Sequence, residues 1–274
     1  MPIRVAAEPT FRDVLAGSDR AQVGMWVCSG SPLMAEICAG SGLDWLLIDT
    51  EHSPNGLEST LSQLQAVHGY PIVPLVRAPT GERVIVKQLL DLGAQNLLIP
   101  MIDTAEQARD MVAAVRYPPH GVRGVGSALA RASRWNRIDD YLVRANETIA
   151  LFVQIETTDA VANVSEIAAV DGIDGLFIGP SDLAASMGLL GQQDHPDVVA
   201  SALRCIRAVT ALGKPVGVNA FAPATAERYL AAGASFVLVG ADVAILARAS
   251  EKLAATFIRP DTESADEAGQ RPSY

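Results

Sequence analysis

The sequence predicts an α/β protein built as one (β/α)8 barrel of the TIM type, and three observations carry that prediction. Eight short, apolar, β-rich runs recur along the chain, and segments of helical character separate them. Four of the runs also stop abruptly in acid, base or amide groups: WLLIDTEHSPN, PLVRAP, FVQIETTDA and LFIGPSDL. Parallel barrels carry their chemistry at the C-terminal ends of the strands. Asp49, Glu51, His52, Arg77, Gln154, Glu156 and Asp182 are costly to bury without partners, so their concentration at such ends points to a site.

In chain order, the candidate strands are Gly24–Cys28, Trp45–Asp49, Ile72–Arg77, Asn96–Pro100, Ala150–Glu156, Gly175–Gly179, Pro215–Asn219 and Phe236–Gly240. Helical character marks Pro32–Gly40, Gly56–Val67, Ala105–Val115, Asp159–Ala169, Asp197–Leu212 and Ala224–Ala232. The longest interruption, Tyr117–Tyr141, has a Pro-Pro turn, two glycines and a stretch rich in Arg, Ala and Ser. A loop of that length inside a compact domain is usually functional. Val243–Phe257 reads as a final amphipathic helix, which ends a barrel domain spanning residues 1–258. Residues 259–274 form a polar tail expected to be disordered. The Gly-Ala pairs in LGAQNLLIP and AGASFVLVG are close turns from helix into strand, and with no GxGxxG or P-loop a nucleotide cofactor is not expected.

Composition narrows the function classes. With 49% hydrophobic but only 5% aromatic residues, the core must be built mainly from Ala, Val, Leu and Ile. A net charge of -10 argues against nucleic acid and anionic membrane surfaces as partners. Neither a signal segment nor an apolar stretch long enough to span a membrane is evident, so the cytoplasm is the expected location. Cys28, Cys38 and Cys205 are widely spaced in apolar surroundings and read as buried free thiols.

Glu156 and Asp182 close consecutive candidate strands, which sets two carboxylates side by side and calls for a cation. Few hard oxygen ligands suit an octahedral divalent ion such as magnesium, manganese or cobalt better than a closed zinc cage. Helix capping by Ser181 and Asp182 is the alternative use of the same residues. The Gly179–Asp182 turn offers backbone N–H groups to a carboxylate, and Gln154 shares a strand face with Glu156 and could donate to the same ligand or sit satisfied in the core.

His52, beside Asp49 and Glu51, has the setting of a general base, with Asp91 a candidate second carboxylate to orient it. His68, His120 and His195 lack that setting and read as structural. Arg77 could stabilise an enolate oxygen or pair with Asp49 or Glu51, and the two uses are compatible. Lys87, Lys214 and Lys252 are all badly placed for a Schiff base, so an aldolase on this chain would have to use a metal and an arginine.

The segments DWLLIDTEHSPN, VRAP, LLDLGA, RYPPHGVRGVGSALARASRWNRI, VQIET and GIDGLFIGPSDL, in this order over about Val23 to Phe257, resemble the class II pyruvate-dependent aldolases of the HpcH/HpaI aldolase family. Within it, the resemblance is to members that cleave 4-hydroxy-2-oxoheptanedioate during aromatic-compound catabolism. It implies a divalent metal on Glu156 and Asp182, and pyruvate bound through Gln154 and the Ser181 and Asp182 amides. It also implies His52 as base assisted by Asp49 and Asp91, Arg77 on the keto or enolate oxygen, and Trp26 and Val218 lining the pocket. The implied reaction is reversible retro-aldol cleavage to pyruvate and succinate semialdehyde through a metal-stabilised pyruvate enolate. The implied assembly is a homohexamer, a trimer of dimers, with Val243–Phe257 packed on a neighbour.

Around Gly217–Pro223 the sequence GVNAFAP departs from the family pattern, which bears on the aldehyde pocket. Arg123, Arg131, Arg134 and Arg137 cluster in the long loop, and one of them, Arg123 foremost, is expected to hold the distal carboxylate of a dianionic substrate. Ordinary surface ion pairs explain the cluster equally. Competing readings are an aldolase for a sugar-derived 2-keto-3-deoxy acid, a citrate-lyase-like enzyme acting on a coenzyme A thioester, and a non-catalytic oxoacid-binding barrel.

Overall fold

The computed structural model describes residues 3–258, and the tail expected over 259–274 lies outside the described residues. Eight strands pair in sequential order into a closed barrel, every pair parallel. They are β1 (Gln22–Val27), β2 (Trp45–Asp49), β3 (Val73–Arg77), β4 (Asn96–Ile99), β5 (Ala150–Ile155), β6 (Gly175–Ile178), β7 (Val216–Asn219) and β8 (Phe236–Ala241). The expected (β/α)8 barrel is therefore the observed one. Among the described residues no helix is long and apolar enough to cross a membrane.

Strand alternation divides the apolar residues into two cores. Leu46 and Ile48 of β2 join the aliphatic layer between strands and helices, whereas Trp45 and Leu47 point into the barrel. The scarce aromatic residues are concentrated inside: Trp45, Phe152, Phe177 and Phe236 fill the lumen. Two glycines make room for them. A Cβ at Gly24 would fall 2.5 Å from the Trp45 ring, and one at Gly217 only 2.1 Å from Phe236.

A short helix absent from the sequence expectations, Phe11–Ala16, closes the N-terminal end of the lumen. Thr10 and Asp13 form its capping box, and Asn96 Oδ1 accepts the Phe11 N–H at 2.7 Å. The fully buried Phe11 ring lies 5.2 Å from Trp45, 5.6 Å from Phe152 and 5.3 Å from Phe236, centroid to centroid. Six residues hold too little periodicity to announce a helix. The helix Arg83–Asp91, to which the sequence assigned no bounds, links β3 to β4 and carries Lys87. The single helix expected over Asp159–Ala169 is two, Thr158–Ala162 and Val164–Ala168, interrupted at Asn163, whose side chain donates to the Asp103 carbonyl at 2.8 Å.

The Tyr117–Tyr141 segment leaves the C-terminus of the helix Ala105–Val115 and returns to the start of β5, so it covers the N-terminal side of the barrel. Arg123 anchors it. Its guanidinium is buried, lies 4.5 Å from the Tyr117 ring centroid, and donates to Asp91 and to the Tyr141 hydroxyl, each at 3.3 Å. The three cysteines are free; burial pushes the thiols up to about 12 at Cys28 and about 11 at Cys38 and Cys205, although Cys28 is only half-buried.

Phe11→Ala would open a void against three rings, and a loss of about 3–5 kcal/mol in urea unfolding is expected. A loss below about 1 kcal/mol would show that the plug does not support the lumen.

Candidate active site at the C-terminal mouth

The inward alternation that places Trp45 and Leu47 in the lumen continues to Asp49 at the mouth, and the β2–β3 register sets Asp49 directly opposite Arg77. Arg77 grips Asp49 as a fork, Nε to Oδ1 and Nη2 to Oδ2, both at 2.8 Å, while Nη1 lies 2.9 Å from Glu51 Oε2. Its guanidinium carbon sits 4.3 Å from the centroid of the Trp26 ring, and Trp26 Nε1 donates to Asn219 Oδ1 at 2.9 Å. Burial alone would lower the Arg77 pKa, but its Asp49 hydrogen bonds and the Asp49 and Glu51 charges outweigh that and raise it.

Gln154 is the last inward residue of β5, and Glu156 follows just past the strand end. Gln154 Nε2 donates to Glu156 Oε2, and the Met101 N–H donates to Oε1 at 2.8 Å. Met101 reaches that position with φ 56°, a left-handed conformation that a residue with a Cβ rarely adopts. A Cβ on Gly179 would lie 2.9 Å from Glu156 Oε2 and 3.0 Å from Gln154 Nε2, so glycine keeps this corner open.

Burial pushes the Glu156 carboxyl up to about 7; the hydrogen bonds from Gln154 and Met101 oppose the shift, and the Asp182 and Glu51 charges add to it. Glu51 is likewise raised, chiefly by burial and against the pull of Arg77 and His52. Asp182, exposed in the first turn of the helix Pro180–Ser186, brings a third carboxylate to bear on this spot. Gln154 Oε1 is buried without a hydrogen-bond partner. Crowded carboxylates beside an orphaned amide oxygen form a set of hard oxygen donors that fits a divalent cation. Among the described residues no group of three or more His, Cys, Asp or Glu is placed to hold a metal ion by itself, so a cation here would need further ligands from water or substrate.

His52 reaches the same mouth with an exposed ring. The His52 backbone N–H donates to Asp49 Oδ2 at 3.3 Å, whereas the ring Nε2 lies 3.9 Å from Glu51 Oε2, so the carboxylate nearest the imidazole belongs to Glu51 and not to Asp49. Ser181 stands exposed in the first helical turn beside Asp182. A groove of about 340 Å3 opens next to Glu51, with Thr80, Gly81, Met101 and Met111 in its walls.

Three expectations are not met within the single chain. Asp91 ends the helix Arg83–Asp91, at the N-terminal side of the barrel, and pairs with Arg123, so within this chain it does not orient His52. Arg123 is buried at that same far end and cannot meet a ligand at the mouth of its own barrel. Val218 is fully buried but belongs to the outer aliphatic layer; alternation turns it away from the lumen and makes Asn219 the inward residue of β7. The lysine reading fits the placement found, since Lys214 Nζ is tied to the Val170 and Ile173 carbonyls at 2.9 and 2.6 Å. His68 pairs with Glu8 at 2.9 Å, and His195 caps the helix Pro196–Ala211.

Sequence reasoning passed over Glu51 as a member of the carboxylate set, Asn219 as a partner of Trp26, and Asp242, whose carboxylate accepts the Cys28 and Ser29 N–H groups at 2.8 and 3.1 Å. Glu51 was among the strand-end residues singled out but was given no place in the metal set, and Asn219 carries the same strand-end signal. Met101 carries none, because it contributes a backbone N–H.

Residues 22–249 match the family model described as HpcH/HpaI aldolase/citrate lyase. The chain is 52% identical over 269 residues to a hydroxypyruvate/pyruvate aldolase of Deinococcus radiodurans, covering 97% of each chain. It is 53% identical over 247 residues to a 4-hydroxy-2-oxo-heptane-1,7-dioate aldolase of Salmonella dublin, covering 90% of this chain and 94% of the other. A crystal structure of an HpcH/HpaI aldolase/citrate lyase family protein from Burkholderia cenocepacia superposes with a TM-score of 0.85 at 40% identity, covering 89% of this chain and 96% of that one.

The raised Glu156 pKa makes a stability prediction for the metal-free protein. A carboxyl held above its ordinary 4.5 favours the folded state below that value, and the contribution is lost as pH rises through about 7. Glu156→Gln is therefore expected to gain on wild type between pH 5 and 8, by about 3 kcal/mol at most, in urea unfolding with chelator. A wild-type-minus-variant difference flat over that range would exclude the shift.

Proposed function

The chain belongs to the HpcH/HpaI aldolase/citrate lyase family and is an aldolase, a carbon–carbon lyase, and from that premise we propose that it is a metal-dependent enzyme cleaving 4-hydroxy-2-oxoheptanedioate reversibly to pyruvate and succinate semialdehyde. The observation that carries this reading is the convergence of Glu51, Glu156 and Asp182 with Gln154 and the Arg77 fork at one strand-end mouth.

Glu156 and Asp182 would hold magnesium, manganese or cobalt. When bound, the ion supplies a Lewis acid that polarises the keto group of an oxoacid. Around it, the free first-turn amides of Ser181 and Asp182 bind the oxoacid carboxylate, and Gln154 orients the ligand. His52 Nε2 takes the proton from the C4 hydroxyl; the new carbonyl forms as the C3–C4 bond breaks, and that electron pair passes into the pyruvate enolate. The buried positive charge of Arg77, held in place by Asp49, Glu51 and Trp26, stabilises the enolate oxygen. Protonation at C3 then gives pyruvate. Exposure leaves the imidazole free to exchange its proton with solvent between turnovers.

A second donor or acceptor class has a specific observation in its favour. The loop arginine expected to recognise a distal carboxylate lies at the opposite end of the barrel, and Arg77 is already engaged by two carboxylates. An uncharged acceptor such as glycolaldehyde, with hydroxypyruvate or pyruvate as donor, asks for no such cation. That reading agrees with the name of the Deinococcus radiodurans relative. Apolar side chains exposed along the helix Asp242–Phe257, among them Val243, Leu246, Leu253 and Phe257, support packing on a second copy within a homohexamer. A cytoplasmic location completes the proposal.

Chelated protein is expected to release pyruvate from racemic 4-hydroxy-2-oxoheptanedioate only after addition of magnesium, manganese or cobalt. Metal-independent release would end the class II reading, and a kcat/KM higher for glycolaldehyde than for succinate semialdehyde in the aldol direction would transfer the assignment to the uncharged acceptor. His52→Ala should lower turnover roughly a hundred- to ten-thousand-fold while pyruvate binding, followed by calorimetry with metal present, stays near wild type. Turnover within twofold of wild type would remove His52 from the mechanism.

A further inference from the structure

The end of the barrel opposite the mouth holds two neighbouring cavities that share Arg131, Arg134, Glu8, Gly93 and Gln95 in their walls. The larger, of about 240 Å3, is lined on its other sides by Leu64, Val67, Ile72 and Val73. It therefore joins an apolar floor to a cationic wall.

The cationic wall is unusual in a chain of net charge -10. Arg131 and Arg134 are both half-buried, and among the described residues neither has a carboxylate within the 4.0 Å of an ion pair. A tight turn holds them together, with the Arg134 N–H bonded to the Arg131 carbonyl at 2.8 Å and Arg134 itself left-handed at φ 51°. Arg131 Nη1 donates to the Leu92 carbonyl at 2.9 Å, which fixes the guanidinium at the end of the Arg83–Asp91 helix while using one of its five N–H donors. Glu8, the acid in the shared wall, has Oε1 2.9 Å from His68 Nδ1. Burial, and then the Arg134 charge, lower the Arg131 pKa to about 10 against the opposing pull of the Glu8 charge. An anion between them would relieve that repulsion, and planar forks are suited to a carboxylate.

We propose that this end of the barrel binds a small organic carboxylate, its carboxylate group between Arg131 and Arg134 and its short apolar body over Leu64, Val67 and Ile72, at a site separate from the aldol chemistry. The site is independent of which aldol reaction the mouth performs.

The test is calorimetric titration of butyrate into full-length protein, beside Arg134→Gln and Arg134→Lys, with thermal unfolding as the check on folding. Butyrate lacks the keto group that the mouth is proposed to recognise. Saturable binding by wild type, weakened at least tenfold in Arg134→Gln and less in Arg134→Lys, with aldolase turnover unchanged in both, is the expected result. Absence of saturable binding by wild type would overturn the proposal, and so would equal affinity in either variant, since neither replacement presents the same fork. Inorganic phosphate competing as strongly as butyrate would refute the apolar half of the site, because phosphate has no body to place on that floor.

Discussion

The mouth of this barrel depends on one buried cation. Arg77 neutralises Asp49 through a two-point fork, reaches Glu51 with its remaining terminal nitrogen, and rests on the face of Trp26. Without it, Asp49 and Glu51 would add to Glu156 and Asp182 in a confined space, where each further charge raises the cost of the next. The pairing is not a late adjustment of side chains. It follows from the β2–β3 register, which sets residues 49 and 77 on adjacent strands at the same height.

Arg77 does not reach far enough to settle Glu156, and that carboxyl carries the mouth's remaining tension. Two donors serve it, one from Gln154 and one from a backbone N–H that Met101 can present only by adopting a left-handed conformation. Gly179 keeps the space beside it clear. Burial and the neighbouring carboxylates still hold its pKa near 7. A site that is strained, crowded with like charge and left with an unpartnered amide oxygen suits the cation and oxoacid proposed for it, and its rigidity would limit reorganisation on binding them.

The two ends of the barrel have separate duties. Stability is concentrated at the N-terminal end, where Phe11 plugs an aromatic lumen and Arg123 pins the long loop to Asp91 and Tyr141. Strand-end chemistry is concentrated at the other. The long loop therefore does not serve the mouth of its own chain, and its four arginines have to be accounted for where they stand: Arg123 as a structural anchor, Arg131 and Arg134 facing a cavity, and Arg137 over the Trp135 ring.

Much of this was legible in the residues themselves. Eight apolar runs, their alternation with helices, and the abrupt polar endings at Asp49, Arg77, Glu156 and Asp182 are local patterns, and local patterns determine which segments become strands and which residues stand at their ends. The alternation of a strand also told that Gln154 would share a face with Glu156. What tertiary structure alone decided is who meets whom. That Asp49 pairs with the Arg77 guanidinium and not with the His52 ring, that Asn219 and not Val218 turns inward, and that Asp91 and Arg123 pair at the far end all depend on register, on the direction in which each helix returns, and on backbone conformations such as that of Met101. These are relations between segments distant in sequence, set by closure of the barrel, and a residue's own identity carries no record of them.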